Sequence, residues 1–471
     1  MRSRLFMLLI GVFATTALLG GFLWHASEDQ HALFKTIAAL QSDKAAKSLA
    51  VVDTSFINSG VLPAVENDRD LDAEKDKFIA SKRSFIYTDL AAMTIDLYKD
   101  GERIAAYPIA AKGREGSWWE TPSGSYTVLS RESTHFSSIG KVWQPWSIQF
   151  YGNFFIHGWP YDAKGKDVPP GYSGGCIRLN TDDAKIVYDF ARRDMPVLVK
   201  GDSVPPENYA ALTLRSPEAA KIPDLSAQSV LVADVITGDV YLNKNGSDVL
   251  PIASIVKLMT AVVTSELVNL ESSVSISREM LTTSPFQSVK LPLRGYYRAF
   301  DLFYPLLIES SNGTAEALTT FVGRTEFIKN MNTKAKALGM TNTRFFDPSG
   351  VEDENVGTGK DLLLLARYIF EKRNFIYKIS KGEKYADMSP TAFVGLYNLN
   401  DFHNDPDLAG SKIGETKAAK QTSVVVWNFN TPAGRAPVAV IVLGSDDQSK
   451  DQQTILDWLT KNFEIVRTVK K

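Results

Sequence analysis

Residues 171–180 read GYSGGCIRLN, and Cys176 within them is the only cysteine in a chain of 471 residues. A second stretch, FFIHGWP at 154–160, closes a run of strand-forming residues and sets His157 19 positions ahead of the thiol. The five histidines, His25, His31, His135, His157 and His403, are scattered without the spacing of zinc or iron ligands, so no metal site is expected. A cysteine and a histidine can instead serve as nucleophile and base, the imidazole taking the thiol proton or stabilising the thiolate. Gly174 and Gly175 would let backbone N–H groups approach a developing oxyanion, and Arg178 could hold a carboxylate. Taken alone, one Cys and one His at this distance prove little, because most free cysteines are small buried hydrophobes.

The rest of the chain bounds what such a pair could do. A length of 471 residues exceeds one hydrophobic core and implies two or three domains. With 44% hydrophobic and 23% charged residues the chain reads as globular, and a net charge of -2 without a dense Lys/Arg block leaves no electrostatic footprint for nucleic acid. Arg2 and Arg4 precede an uncharged run from Leu5 to Trp24, 20 residues, enough to cross roughly 30 Å of hydrocarbon as a helix. The arginines should stay in the cytoplasm, which places the remainder on the extracytoplasmic side of a cytoplasmic membrane. A retained anchor over 1–24 is the favoured reading; a cleaved signal peptide, with a weak site at Thr15-Thr16-Ala17, is the rival. Export also removes the disulfide explanation for Cys176, since a lone cysteine has no partner within the chain.

Residues 25–83, rich in Ala, Lys, Asp, Glu and Ser, read as a helical stalk. From Ser84 the pattern changes to short alternations: Met93, Ile95 and Leu97 alternate with polar neighbours ahead of the turn Lys99-Asp100-Gly101, a hairpin signature. Similar runs to about Lys200 predict a mostly-β domain over 84–200. A Pro-rich linker over 201–224 follows. Beyond it, strands flank a helical middle, with apolar residues at Ile255, Leu258, Met259, Val262, Val263 and Leu267 on one helix face, so an α+β domain is expected over 225–465.

The motifs then add a resemblance. Ile156-His157-Gly158 followed by SGGCIRLN is similar to the signature of the L,D-transpeptidase catalytic-domain family, and WETPSGSYTV (119–128) and ARRDMPVLV (191–199) resemble two further stretches of it. That resemblance implies Cys176 as nucleophile and His157 as base, with the carbonyl of Gly158 orienting the imidazole. Ser173, Gly175 and Arg178 fall on supporting or substrate-binding positions, Arg178 serving equally well as a structural ion-pair former. Gly174 departs from the family, where many members carry a second histidine. The implied reaction is attack on the bond between the third and fourth residues of a peptidoglycan stem, giving a 3-3 cross-link or exchange of the fourth residue through a thioester.

The second domain has its own constellation. In PIASIVKLMTA (251–261), Ser254 and Lys257 lie three apart on one helix face, where a neutral amine could take the serine proton. Ser310 and Asn312 form an S-x-N, and Lys412 and Gly414 flank Ile413 ahead of a strand. These three elements in order, with the run ALGMTNTRFFDPSGV (337–351), resemble the penicillin-binding D-Ala-D-Ala carboxypeptidase family. The resemblance implies Ser254 as acylated nucleophile, Lys257 as base, Ser310 and Asn312 as relay and orienting groups, and Lys412 and Gly414 as substrate-binding positions. Ile413 stands where the family carries threonine, which removes a hydroxyl that helps to hold a terminal carboxylate.

The expected protein is therefore multidomain: an N-terminal transmembrane helix, a mostly-β L,D-transpeptidase-like domain, then an α+β penicillin-binding serine domain. Peptidoglycan stem peptides are the expected partners, no cofactor is implied, and a short linker would act as a tether raising local substrate concentration. The alternative keeps one enzyme, at Cys176, and makes 225–465 an inactive stem-peptide binding module.

Overall fold

The computed structural model describes residues 71–466, apart from 116, 138–139, 202–207, 216–220, 279, 281–293, 385–392 and 394. The expected membrane segment, 1–24, and the stalk up to residue 70 lie outside the described residues. Among the described residues no helix is long and apolar enough to cross a membrane.

The end of the expected stalk forms helix α1 (Leu71–Ala80), which is docked rather than free. Its Asp72 accepts hydrogen bonds from Tyr87 Oη at 2.6 Å and Lys200 Nζ at 2.7 Å, and Ser125 Oγ donates to Glu74 at 2.8 Å. The Lys200 and Tyr87 contacts hold the Asp72 carboxyl down at about 2. The sheet beneath it contains strands β1 (Phe85–Asp89), β2 (Thr94–Lys99), β3 (Glu102–Pro108), β4 (Gly124–Thr127) and, farther along the chain, β9 (Pro196–Lys200), in the order β3-β2-β1-β9-β4. The hairpin read from the alternation is present: Ile95 and Leu97 are buried, and Asp100 and Gly101 take φ of 51° and 82°, the left-handed pair that matches strand twist in a tight turn.

A second sheet joins β5 (Ser130–Ser137), β6 (Val142–Tyr151), β7 (Phe154–His157) and β8 (Ile177–Arg178), with helix α2 (Thr181–Phe190) following. β7 and β8 run parallel with His157 opposite Arg178. That register brings the end of FFIH beside the end of SGGCIR, because a parallel pair needs a crossover and residues 158–176 supply it.

The serine domain is built on the sheet β11-β10-β18-β17-β16, from β10 (Ser229–Asp234), β11 (Val240–Lys244), β16 (Leu408–Thr416), β17 (Lys420–Thr431) and β18 (Gly434–Ser445). Small pairs β12 (Leu250–Pro251) with β15 (Val356–Gly357), and β13 (Ser273–Ser275) with β14 (Tyr296–Arg298), lie outside it. A 3-10 turn, Ala253–Ile255, runs into helix α3 (Val256–Leu267), whose twelve residues are all buried. An all-round buried helix is the centre of a domain. Around it lie α4 (Ala299–Leu307), α5 (Asn312–Thr319), α6 (Arg324–Ala337), α7 (Gly359–Lys372) and α8 (Asn374–Ser380), and α9 (Gln448–Asn462) packs on the outer sheet.

The expected linker spans 201–224. Its described part is pinned to the serine domain: Ala210 N–H donates to Arg435 O and Arg215 N–H to Asn462 O, both at 2.8 Å, while Tyr209 Oη donates to Asp234 at 2.8 Å. The two domains share one hydrophobic core that runs from Phe150 and Tyr151 to Leu267 and Ala335. Buried charges sit at the join. Glu266 binds Lys334 at 3.0 Å and Arg373 at 3.1 Å with all three side chains fully buried, and accepts a hydrogen bond from Tyr368. From the other side, Glu120 binds Lys372 at 3.2 Å, and its carbonyl accepts from Arg373 at 3.0 Å.

Candidate active sites

The cysteine site lies in a cleft of about 490 Å³ lined by Cys176, His157, Arg178, Ser173 and Gly174 together with Gln144, Trp118 and Trp119. His157 is held by its Nδ1, 2.6 Å from the carbonyl of Gly158. A carbonyl only accepts, so Nδ1 carries the hydrogen and Nε2 keeps the lone pair of a base. Burial pulls the His157 imidazole down to about 4, partly offset by the Gly158 bond. Burial likewise pushes the Cys176 thiol up to about 11, and the thiol donates to Asn153 O at 3.6 Å rather than to the imidazole. At neutral pH burial therefore favours a neutral thiol and a neutral imidazole over an ion pair.

The loop before the thiol is braced from within. Ser173 Oγ donates to the Cys176 carbonyl and accepts from Gly175 N–H at 3.2 Å. The Gly175 N–H is therefore engaged inside the loop in this structure. Its glycine is demanded by conformation: φ is 100°, and a Cβ would stand 2.3 Å from Phe154. At Gly174 a Cβ would meet nothing within 4 Å, so a larger residue has room there. Arg178 is buried over the Trp159 ring at 5.0 Å, and its Nε and Nη1 have no hydrogen-bond partner. Of its two open readings the ion pair with the protein is absent among the described residues; a guanidinium with unsatisfied donors in a cleft has the geometry to accept a carboxylate.

In the serine site the three sequence elements converge. Lys257 Nζ lies 2.8 Å from Ser254 Oγ and 2.6 Å from Asn312 Oδ1, and it also meets the Ser349 carbonyl. Burial and the neighbouring Lys412 hold the Lys257 amine well below its ordinary range, against a smaller opposing effect of Asp347. A neutral amine has two hydrogens and one lone pair; two acceptors take the hydrogens, which leaves the lone pair for the Ser254 hydroxyl proton. Ser310 sits at a left-handed φ of 57°, and its buried Oγ has no partner.

Strand β16 closes the site. Gly414 approaches so closely that a Cβ would stand 2.6 Å from Ser254 N. Burial pushes the Lys412 amine down to about 7, and its Nζ donates to the Ile413 carbonyl at 2.6 Å. Ile413 is half-buried on this edge strand opposite Ser423. Sequence reasoning missed Asn153, Gln144 and the Ser349 carbonyl; only the last lay in a stretch already singled out, DPSG. It also missed that Ser265, Glu266, Leu267, Val268 and Asn269, from the serine domain, line the cysteine cleft.

Two candidate sites, one around Cys176 and His157 and one around Ser254 and Lys257, thus occupy a single body. Residues 83–199 match the family model of the L,D-transpeptidase catalytic domain, and residues 216–447 match that of D-alanyl-D-alanine carboxypeptidase. A D-alanyl-D-alanine endopeptidase of Pseudomonas aeruginosa is 31% identical over 53% of this chain and 83% of its own length. One from Escherichia coli is 30% identical over 55% of this chain and 84% of its own. The solved structure of a D-alanyl-D-alanine carboxypeptidase from Mycobacterium tuberculosis is 24% identical with a TM-score of 0.45, covering 53% of this chain and 98% of that one. The chain belongs to the D-alanyl-D-alanine carboxypeptidase family and carries an L,D-transpeptidase catalytic domain ahead of it.

Proposed function

We propose that this is a peptidoglycan-remodelling enzyme with two working nucleophiles. At the first, the Cys176 proton passes to His157 Nε2 as sulfur attacks the carbonyl of the third stem residue. The bond to the fourth residue breaks, that residue leaves as an amine with the proton from the imidazolium, and an acyl thioester remains. An acceptor amine then displaces the thiol, giving a 3-3 cross-link when the amine belongs to a diamino-acid side chain, or exchange of the fourth residue when it is a free D-amino acid. Arg178 holds a stem carboxylate in the cleft.

At the second site, Lys257 takes the Ser254 proton as the hydroxyl attacks a D-alanyl carbonyl. The leaving amine takes the proton, and water hydrolyses the ester. The bond cut is terminal in a carboxypeptidase; the relatives in Pseudomonas and Escherichia bear the name endopeptidase. Removal of the fifth residue from a pentapeptide stem would supply the tetrapeptide used at Cys176. Residues 1–24 hold the chain to the cytoplasmic membrane with both sites outside it, which is supported by Arg2 and Arg4 ahead of the apolar run.

The observation that carries the two-enzyme reading is the Lys257 amine, buried, depressed and in contact with the Ser254 hydroxyl. Purified protein incubated with pentapeptide muropeptides should trim them in a Ser254-dependent step and dimerise the products in a Cys176-dependent one. If supplied tetrapeptide dimerises while pentapeptide is never trimmed, the serine half is wrong. Ile413 favours the second reading, a stem-peptide binding module beside a single cysteine enzyme, because isoleucine offers no hydroxyl to a carboxylate. Fluorescent penicillin separates the two: labelling that vanishes in Ser254→Ala supports the acylating serine, and no labelling supports the module.

A further inference from the structure

The C-terminal end of α3 reaches the cysteine cleft. Ser265, Glu266, Leu267, Val268 and Asn269 form part of the wall that contains Cys176 and Arg178, although they belong to the serine domain. The contact is specific. Asn153, exposed at the β6–β7 turn, donates from Nδ2 to the Leu267 carbonyl at 2.9 Å, and its own carbonyl accepts from the Cys176 thiol at 3.6 Å. The last four carbonyls of a helix lack partners within it, so Leu267 O is an acceptor that the helix itself leaves open. Beside Asn153, Gly152 sits against the same residue: a Cβ there would stand 1.9 Å from Leu267 Cδ2. At its other end, in the first turn, α3 carries Lys257 against Ser254. A helix of 12 residues spans about 18 Å, so a single element runs from the Ser254 site to the wall of the cysteine cleft.

We infer that the C-terminal end of α3 is a structural part of the cysteine site, and that Asn153 is the positioning residue that holds the Cys176 thiol against it. The inference rests on reading Cys176 as the nucleophile of the first site. The transpeptidase domain is then not a self-sufficient module: part of the wall of its cleft, and the Leu267 carbonyl that anchors the Asn153 tie on its thiol, come from the carboxypeptidase-family domain. The chemical consequence falls on the thiol. An acceptor at Sγ stabilises the protonated form, so slackening the tie lets the thiolate form more readily. The charged and titratable groups around the thiol are His157 on β7, Arg178 on β8, His135 on β5 and Glu266 on α3, and none of them is altered by changing Asn153.

The lone cysteine makes the test clean, because iodoacetamide can alkylate only one thiol in the full chain. The pH profile of alkylation is measured for wild type, Asn153→Ala, Asn153→Gln and Gly152→Ala. In Asn153→Ala the midpoint should fall by about 0.5 to 1 unit, which is roughly a three- to tenfold faster reaction at pH 8. Asn153→Gln keeps an amide donor and should recover part of the wild-type profile. Gly152→Ala leaves that donor in place but wedges a methyl into Leu267, and should shift the midpoint in the same direction. Variants that fold, by circular dichroism, and melt lower yet keep the wild-type midpoint would show a merely structural contact and overturn the inference. If Asn153→Ala does not fold, Gly152→Ala decides. Alkylation requires no peptidoglycan turnover, so an inactive transpeptidase and a wrong inference give different results.

Discussion

Replacing Glu266 with glutamine should loosen the join between the domains, because Glu266 anchors from within the serine domain the two cations that cross it, Lys334 to Tyr126 and Arg373 to the Glu120 carbonyl. The carboxylate lies fully buried between Lys334 at 3.0 Å and Arg373 at 3.1 Å, both equally buried, and Tyr368 donates to the same oxygen. Glutamine keeps the shape but removes the charge, which leaves two buried cations facing one carboxylate fewer. Breaking a buried pair from one side costs about 3 to 5 kcal/mol. At roughly 2 to 4 °C per kcal/mol for a domain of this size, the melting temperature should fall by on the order of 10 °C. Tryptophan fluorescence and calorimetry follow the melt. Because the core is continuous across the join, the wild type should unfold in one transition and Glu266→Gln in two. Adding Lys334→Met to the variant removes one stranded cation and should recover part of the loss. A Glu266→Gln melt within about 2 °C of wild type, no more than ~1 kcal/mol would give, refutes the account of the join.

Ile413→Thr should speed acylation of Ser254 by fluorescent penicillin roughly ten- to a hundredfold, the value of one hydrogen bond to a charged group; an unchanged rate means the hydroxyl is not what the site lacks. Gly174→Ala should alter stability by no more than about 0.5 kcal/mol, whereas Gly175→Ala, with its left-handed φ and the Phe154 ring in the way, should cost at least about 2 kcal/mol; urea titrations that rank them in the opposite order would contradict the loop geometry. His157, held down to about 4 by burial, takes up a proton in the unfolded chain before it does so in the folded one. Its contribution to stability is therefore full above about 6.5 and lost as pH falls toward 4, at most about 3 kcal/mol. Stability measured across that window should vary less in His157→Gln, and an equal slope in both proteins would show that the histidine is not buried neutral.

Much of the chemistry was legible in the chain because it is local. Ser254 and Lys257 meet since three residues is nearly one helical turn, and the hairpin at Asp100-Gly101 follows from alternation and turn residues. Gly414 and Asn312 were likewise named before their contacts with Ser254 and Lys257 were visible. Gly175 was named for the approach of its N–H to an oxyanion; that N–H is engaged with Ser173 in this structure, and the backbone conformation that demands a glycine there is one that only coordinates reveal. The Pro-rich stretch before residue 224 read as a tether because composition reports the absence of periodicity, not whether backbone groups find partners on a neighbouring surface.

The sequence by itself determined the two families and the order of their domains, and offered Cys176, His157, Ser254 and Lys257 as candidate nucleophiles and bases, because motifs of residue types at short, fixed spacings carry that information. Only the tertiary structure decided that Arg178 has no ion-pair partner among the described residues, that burial favours an uncharged thiol and imidazole, and that the serine domain supplies part of the wall of the cysteine cleft. Burial sets the first two, since desolvation acts through surroundings drawn from several strands. The third depends on Asn153 meeting Leu267 across 114 residues, a separation over which no sequence period carries information.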